Sequence, residues 1–99
     1  MSEHPRTQMN DDFTNPVRLS MMAALQGVDE IDFKTLRETL GVSDSVLSRH
    51  ITGLEEKNYL KVRKGFVGKR PRTWVKLSAH GRSSLTEHIQ ALRAITSGL

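Results

Sequence analysis

The sequence predicts a mainly α-helical domain of the α+β class with one small β-hairpin. Four segments carry apolar residues at helical spacing, residues 60–77 include runs that alternate between apolar and polar side chains, and helix-capping residues stand at the segment ends. The chain of 99 residues is long enough for one domain, and no linker or internal repeat divides it. We therefore expect a flexible N-terminal tail over residues 1–12 and one folded domain over residues 13–99.

The first helix is predicted to begin after Asn15, a helix-capping residue, with Pro16 at the first helical position, where a missing N–H costs nothing. The apolar residues that follow form two neighbouring lines, one of Val17, Met21, Ala24, Leu25 and Val28, the other of Leu19, Met22 and Ala23. A helix that is apolar over this much of its surface must bury two faces. One face belongs to the domain core, and the second is available for a partner.

The next two predicted helices are short and closely joined. Asp32 can cap a helix over residues 33–40, and Gly41 provides the left-handed residue that ends it. Ser43 then caps a third helix over residues 43–57. The buried stripe of this third helix consists of Leu47, Ile51 and Leu54. Two short helices joined by a tight glycine turn are the signature of a helix-turn-helix.

A β-hairpin is predicted after the third helix. The side chains of its two strands that face the core are Leu60, Val62, Val75 and Leu77. A loop over residues 65–71 joins the first strand to a second strand over residues 72–77. Trp74 lies on the opposite, basic face, where it can pack on Arg63 or Arg72.

Positive charge is concentrated in one block of the chain. Residues 57–86 contain no Asp or Glu and nine basic side chains, namely Lys57, Lys61, Arg63, Lys64, Lys69, Arg70, Arg72, Lys76 and Arg82. Residues 1–56 have a net charge of −5 from five basic and ten acidic side chains, whereas residues 57–99 have +9 from ten basic and one acidic. This concentration indicates an anionic partner, and the preceding helix-turn-helix makes double-stranded DNA the leading candidate.

The sequence also argues against several function classes. It contains no cysteine, and its four histidines show no chelating spacing, so we expect no disulfide, no metal and no cofactor. It contains no nucleophile–base pair and no phosphate-cradling loop that would indicate an enzyme. The sequence lacks a signal-peptide pattern and any run of about 18 apolar residues, so we expect a cytoplasmic protein without a membrane segment.

The candidate recognition surface is the side of the third helix that faces away from its buried stripe. Arg49 projects from this side and can donate two hydrogen bonds to guanine O6 and N7, or contact a phosphate instead. The short hydroxyl side chains that can contact bases or phosphates around it are Ser43, Ser45, Ser48 and Thr52. Asp44 would repel phosphate, so we assign it to the helix start, where it interacts favourably with the helix dipole.

The hairpin supplies the second part of the candidate DNA surface. Its cations are expected to meet phosphates, because contacts to the backbone reward a high density of charge without precise spacing. These cations are Lys61, Arg63, Lys64, Lys69, Arg70 and Arg72. Arg70 or Arg72, near the end of the hairpin, can instead enter a minor groove.

The order of three helices, a basic hairpin and a further helix resembles the winged helix-turn-helix transcriptional regulators, in particular compact proteins related to the MarR and ArsR families. The resemblance covers residues 13–96 and rests on NPVRL at 15–19, FKTL at 33–36, GVSDSVLSRH at 41–50, LEEKNYL at 54–60, PRT at 71–73 and LSAHGR at 77–82. It implies a three-helix core, a C-terminal dimerisation helix, a recognition helix over residues 43–57 in the major groove, and a wing over residues 60–77 on the backbone or minor groove.

Two features depart from those families. The chain lacks the Cys or clustered His ligands of ArsR-type metal sensors, so metal sensing is not expected. It is also too short for most of the extra helices that frame a ligand pocket in larger MarR proteins, and the sequence identifies no small-molecule effector.

A homodimer is expected from the two helices at the ends of the domain. The final helix follows Ser78, a capping residue, and its apolar line exceeds what so small a core requires. Together with the first helix it gives the predicted dimerisation residues Leu19, Met22, Leu85, Ile89, Leu92 and Ile95. The predicted function is a dimeric, sequence-specific DNA-binding transcriptional regulator. Two alternatives stay open, a protein-interaction module that docks an acidic partner and a non-specific nucleic-acid binder.

Overall fold

A computed structural model describes residues 4–98, which form four α-helices, a three-stranded antiparallel sheet and two short 3-10 helices. The α-helices are α1 (Pro16–Gln26), α2 (Phe33–Leu40), α3 (Asp44–Glu56) and α4 (Ala79–Ser97). The strands are β1 (Ile31–Asp32), β2 (Leu60–Val67) and β3 (Arg70–Leu77), in the sheet order β1-β3-β2. The predicted α+β class with a helix-turn-helix and a hairpin wing is confirmed.

The helix starts follow the predicted capping residues. The Asn15 side chain accepts the backbone N–H groups of Val17 and Arg18, and Asp32, Ser43 and Ser78 cap α2, α3 and α4 in the same way. Gly41 ends α2 in the left-handed conformation, with φ +65°. Each cap satisfies backbone donors that the first turn leaves unpaired, an effect worth about 1 kcal/mol.

The core lies where all four helices meet the base of the hairpin. Its fully buried side chains come from all four α-helices, from β3 and from the segment before α1, and include Phe13, Met21, Met22, Leu25, Leu36, Leu47, Leu54, Val75 and Leu85. This placement corrects two of the predicted dimerisation residues. Met22 and Leu85 contact the core of their own chain, because α1 packs against both the helix-turn-helix and α4. Of the others, Leu19 and Ile89 are half-buried against that core, and Leu92 and Ile95 are half-buried near the end of α4.

The hairpin is longer than the sequence predicted, and a third strand joins it. The predicted loop over residues 65–71 is wrong, since pairing continues to Val67 and Arg70 and only Gly68 and Lys69 form the turn. Gly68 has φ +63°, a conformation that glycine adopts without strain, so a two-residue turn can close the hairpin. Strand β1 pairs with β3, with Ile31 opposite Val75. The sequence did not predict this strand, because two residues are too few to show the alternation of apolar and polar side chains.

The segment before α1 also differs from its prediction. A flexible tail was expected over residues 1–12, but the segment up to residue 13 forms two 3-10 turns, Pro5–Gln8 and Asp11–Phe13, that pack on the domain. The Asn10 backbone N–H donates to Nδ1 of buried His88 at 2.9 Å, and the Asn10 side chain donates to the Tyr59 hydroxyl at 3.1 Å. Phe13, fully buried, packs against both rings. Residues 1–3 of the predicted tail lie outside the described residues.

Candidate nucleic-acid interface

Helix α3 presents four different sides to its surroundings. Leu47, Ile51 and Leu54 are buried in the core, as predicted. The opposite side is exposed and carries Ser45, Ser48, Arg49 and Thr52. One flank faces α1 and the other faces the hairpin. The predicted recognition residues are therefore brought together on one open surface.

The start of α3 is fixed by a network of short polar side chains. The Ser43 hydroxyl accepts the Val46 backbone N–H at 3.2 Å and lies 3.3 Å from the Ser45 hydroxyl. Asp44, in the first turn, accepts a hydrogen bond at 2.5 Å from Nη1 of Arg37, which extends from α2. The ion pair raises the pKa of Arg37 further and compensates the charge of the carboxylate at the start of α3, which would otherwise repel phosphate.

A groove separates α3 from the hairpin. Ser48, Thr52 and Glu55 line it from α3, while Lys64 and Thr73 line it from the strands. Lys64 shares the strand face of Val62, because residues two apart in a strand point the same way. Lys64 is thus a predicted wing cation that lies beside the recognition surface.

The remaining hairpin cations are distributed by strand alternation. Lys61, Arg63, Arg70, Arg72 and Lys76 lie on the face that turns away from α3. Lys61 stands directly opposite Lys76 in the β2–β3 register, and like charges at opposed positions destabilise a sheet unless an anion lies nearby. Lys69 and Arg70 are exposed at the hairpin end.

Arg63 is engaged within the chain. It was predicted to meet phosphates, but its Nη2 and Nε donate to the two Glu30 carboxylate oxygens at 2.6 and 3.2 Å. Its guanidinium also lies 4.0 Å from the centroid of the Trp74 ring, the cation–π contact that the sequence allowed. Hydrogen bonding to Arg63 lowers the pKa of Glu30, and hydrogen bonding to Glu30 raises the pKa of Arg63. The structure thus gives Arg63 a role in holding the hairpin.

Lys57 is also paired with a carboxylate of its own chain. Its ammonium group contacts the Asp12 carboxylate, which also accepts the Tyr59 hydroxyl at 2.9 Å. The Lys57 hydrogen bond is the main reason that the pKa of Asp12 lies below its usual value. This pair ties the end of α3 to the N-terminal segment.

Arg18, which no pattern in the sequence singled out, reaches from α1 to α3. Its Nε donates to Nδ1 of His50 at 3.1 Å, and its Nη2 lies 2.7 Å from where a Cβ on Gly53 would stand. Burial, reinforced by the charges of Arg18 and Arg49, lowers the pKa of His50 and keeps its imidazole neutral as an acceptor. Gly53 is the sequence signal that could have indicated this contact. Glycine inside a helix costs about 1 kcal/mol relative to alanine, so its presence there suggests a neighbouring side chain that needs the space.

Two further observations concern sites of other kinds. Residues 4–98 hold no group of three or more His, Asp or Glu side chains arranged to bind a metal ion. None of the helices in the same range combines the length and the apolar character needed to cross a membrane.

Comparison with known proteins places this arrangement in a family. A family model described as "Winged helix DNA-binding domain" matches residues 17–96. The solved structure of a transcriptional regulator homologue from Pyrococcus horikoshii OT3 is 28% identical, with a TM-score of 0.88, and the match covers 98% of this chain and 97% of that one. The uncharacterized protein MJ0432 of Methanocaldococcus jannaschii is 26% identical over 87 residues, which are 88% of this chain and 95% of that protein.

The MarR side of the predicted resemblance is also supported by fold. A mutant MarR from E. coli, solved with operator DNA, has a TM-score of 0.69 and 19% identity, and the match covers 78% of this chain and 54% of that one. The predicted relation to ArsR proteins stays a prediction. The chain belongs to the winged helix DNA-binding domain family, and it is a DNA-binding protein of the transcriptional-regulator type rather than an enzyme.

Proposed function

We propose that this protein is a dimeric, sequence-specific transcriptional regulator that places α3 in the major groove of double-stranded DNA. The observation that carries the proposal is the exposed surface of Ser45, Ser48, Arg49 and Thr52, which shares a groove with Lys64 of the wing. Short hydroxyl side chains around one long cation let a helix approach base edges closely. A cytoplasmic location belongs to the same proposal.

Each part of the surface has a distinct role in this proposal. Arg49 reads a guanine through two hydrogen bonds, worth about 1–3 kcal/mol of discrimination. Ser43, Ser45, Ser48 and Thr52 contact neighbouring bases or phosphates. The free wing cations bind the DNA backbone and set the position of α3 without reading sequence. These cations are Lys61, Lys64, Lys69, Arg70 and Arg72, each of them exposed.

The proposed dimer interface is narrower than the sequence predicted. Leu92 and Ile95 are half-buried on the last turns of α4, beyond the side chains that α4 gives to the core. Leu19 and Ile89, also half-buried, contribute the part of their apolar surface that the core of their own chain does not cover. A pair of subunits joined here would read two half-sites whose centres lie about 34–36 Å apart on one face of the duplex.

Sequencing of selected oligonucleotides tests this proposal. The full chain is incubated with a random duplex library, and bound duplexes are amplified over several rounds. We expect enrichment of an inverted repeat whose half-sites are centred about 10–10.5 base pairs apart, or a multiple of that spacing. Binding without enrichment would replace the proposal with a non-specific nucleic-acid binder. Failure to bind DNA even at low salt would favour a module that docks an acidic protein.

A further inference from the structure

The end of the wing carries apolar side chains where the proposed function calls only for charge. Within residues 4–98, the large apolar side chains that are exposed are Phe66 at 71%, Val67 at 47% and Val28 at 37%. Phe66 and Val67 are adjacent at the end of β2, next to the Gly68–Lys69 turn. Single exposed apolar residues are common on protein surfaces, so the position of Phe66 matters more than its exposure.

The strand register directs Phe66 toward the side of the wing that faces α3. Phe66 follows Val62 and Lys64 on one strand face, whereas Val67 lies on the other face with Arg63 and Gly65. Phe66 stands opposite Pro71 in the register, so the ring emerges beside a rigid neighbour. The turn at Gly68 is tight, which holds the ring on a paired strand rather than on a loose loop.

The reach of the hairpin matches the geometry of DNA grooves. Phe66 lies four residues beyond Val62, the last β2 side chain packed against the core, so it projects about 13 Å further along the strand. Half a helical turn of DNA, about 17 Å, separates a major groove from the adjacent minor groove. An α3 helix in the major groove therefore brings the wing end close to the neighbouring minor groove.

The charges around Phe66 select an anionic surface. Lys64 lies two residues earlier on the same strand face, Lys69 and Arg70 follow the adjacent turn and precede its register partner Pro71, and residues 57–86 contain no acidic side chain. An apolar ring inside such a set of cations fits a surface that combines negative charge with flat apolar faces. The minor groove offers both, because phosphates line its edges and partly unstacked base steps accept apolar wedges.

We propose that Phe66 is a minor-groove wedge that enters a base step beside each half-site and bends the duplex. This inference rests on the proposed function. In it, Pro71 supports the ring while Lys69 and Arg70 hold the flanking phosphates. Flexible pyrimidine–purine steps open at the lowest energetic cost, so Phe66 gives sequence preference at a position that no hydrogen bond reads.

The test uses the selected duplex with 2-aminopurine at the adenines flanking one half-site and with donor and acceptor dyes at its ends. Wild-type protein should raise the 2-aminopurine fluorescence, which reports unstacking, and should shorten the distance between the dyes. Phe66→Ser should abolish both signals and weaken binding roughly 10-fold, with an unchanged salt dependence, because the ring contacts no phosphate. Phe66→Leu, which is still an apolar wedge, should retain most of both signals.

Val67→Ser is the matched control, because it removes a neighbouring apolar side chain from the opposite face of the wing and should leave both signals intact. Phe66→Ser that bends and unstacks DNA like the wild type would overturn the wedge while leaving DNA binding established. Binding to phosphatidylserine vesicles is measured in parallel. If Phe66→Ser loses binding only to these vesicles, the ring belongs to a membrane surface, and the wedge is again overturned while DNA binding stands. If the wild type binds no duplex, both the function and the wedge are rejected.

Discussion

The guanidinium of Arg63 lies 4.0 Å from the centroid of the Trp74 ring, on the face of the wing that turns away from α3. The same guanidinium donates two hydrogen bonds to Glu30, in the segment just before β1. This contact joins the base of the wing to the helix-turn-helix through strand β1. The wing is thereby fixed relative to α3 before any DNA is bound, which reduces the ordering cost of association.

Replacement of Arg63 by Gln should expose Trp74 to water. Because Trp74 is the only tryptophan of the chain, its emission reports this change directly. We expect a red shift of the emission maximum and stronger quenching by acrylamide. Lys61→Gln, which removes the same charge from the same strand face opposite Lys76 rather than Trp74, should leave the spectrum unchanged. Identical spectra for the Arg63 variant and the wild type would show that the contact does not form in solution.

Arg49 and Arg70 should differ in the kind of DNA binding they support. Arg49→Ala should lose about 1–3 kcal/mol of discrimination between the selected duplex and a scrambled one. Arg70→Ala should weaken binding to both duplexes equally and lower the salt slope by about one unit. Gel-shift titrations at several salt concentrations measure both effects. An equal loss of affinity on the two duplexes for Arg49→Ala would remove its base-reading role.

His88 should make the fold sensitive to mild acid. It is 1% exposed, and burial lowers its pKa below the ordinary value, so protonation occurs more readily in the unfolded chain. The stability that neutral His88 supports is complete above about pH 6.5, the ordinary pKa, and declines as pH falls from there toward the folded-state pKa. Its imidazole also accepts the Asn10 N–H, so protonation would release the N-terminal segment.

His88→Asn offers a clean comparison, because an amide oxygen can accept the same N–H without titrating. Urea unfolding between pH 5.5 and 7.5 should show a shallower decline for the variant than for the wild type, although both retain a contribution from His50, whose pKa is also lowered. Parallel curves over the whole range would contradict the prediction. The carboxylates with lowered pKa, Asp12, Glu30 and Asp32, titrate below this window.

Two glycines inside helices should respond oppositely to alanine. A Cβ at Gly81 would stand 2.0 Å from the Tyr59 carbonyl oxygen, so Gly81→Ala forces α4 away from the backbone and should cost about 1–3 kcal/mol or more. At Gly53 the near atom is the end of the flexible Arg18 side chain, which can move. Gly53→Ala should therefore be nearly neutral or stabilising by up to about 1 kcal/mol, from helix propensity. Urea denaturation measures both, and equal losses would contradict this assignment.

The sequence predicted those features that depend on local chemistry. Asn15, Asp32, Ser43 and Ser78 cap their helices as expected, because a cap requires only its own first turn. Alternation likewise placed Leu60 and Val62 on the core side of the hairpin, and the exposed side of α3 followed from its helical period.

Features that depend on distant partners could not be predicted. The ion pair of Arg63 joins it to Glu30, 33 residues earlier, and no local pattern distinguishes Arg63 from the free cations beside it. Met22 was assigned to a dimer because the second face of α1 had no visible partner in the sequence, and Leu85 because the apolar line of α4 exceeded what so small a core requires. The structure supplies that partner through α4 and the segment containing Phe13.

Methylation interference at guanine N7 tests most directly the claim that α3 lies in the major groove and reads bases through Arg49. The selected duplex is partially methylated at N7, and bound and free fractions are compared for the wild type and for Arg49→Ala. We predict one or more guanines in each half-site whose methylation blocks the wild type but not the variant. Wild-type binding that tolerates methylation at every guanine, or interference that is identical in the variant, would contradict it.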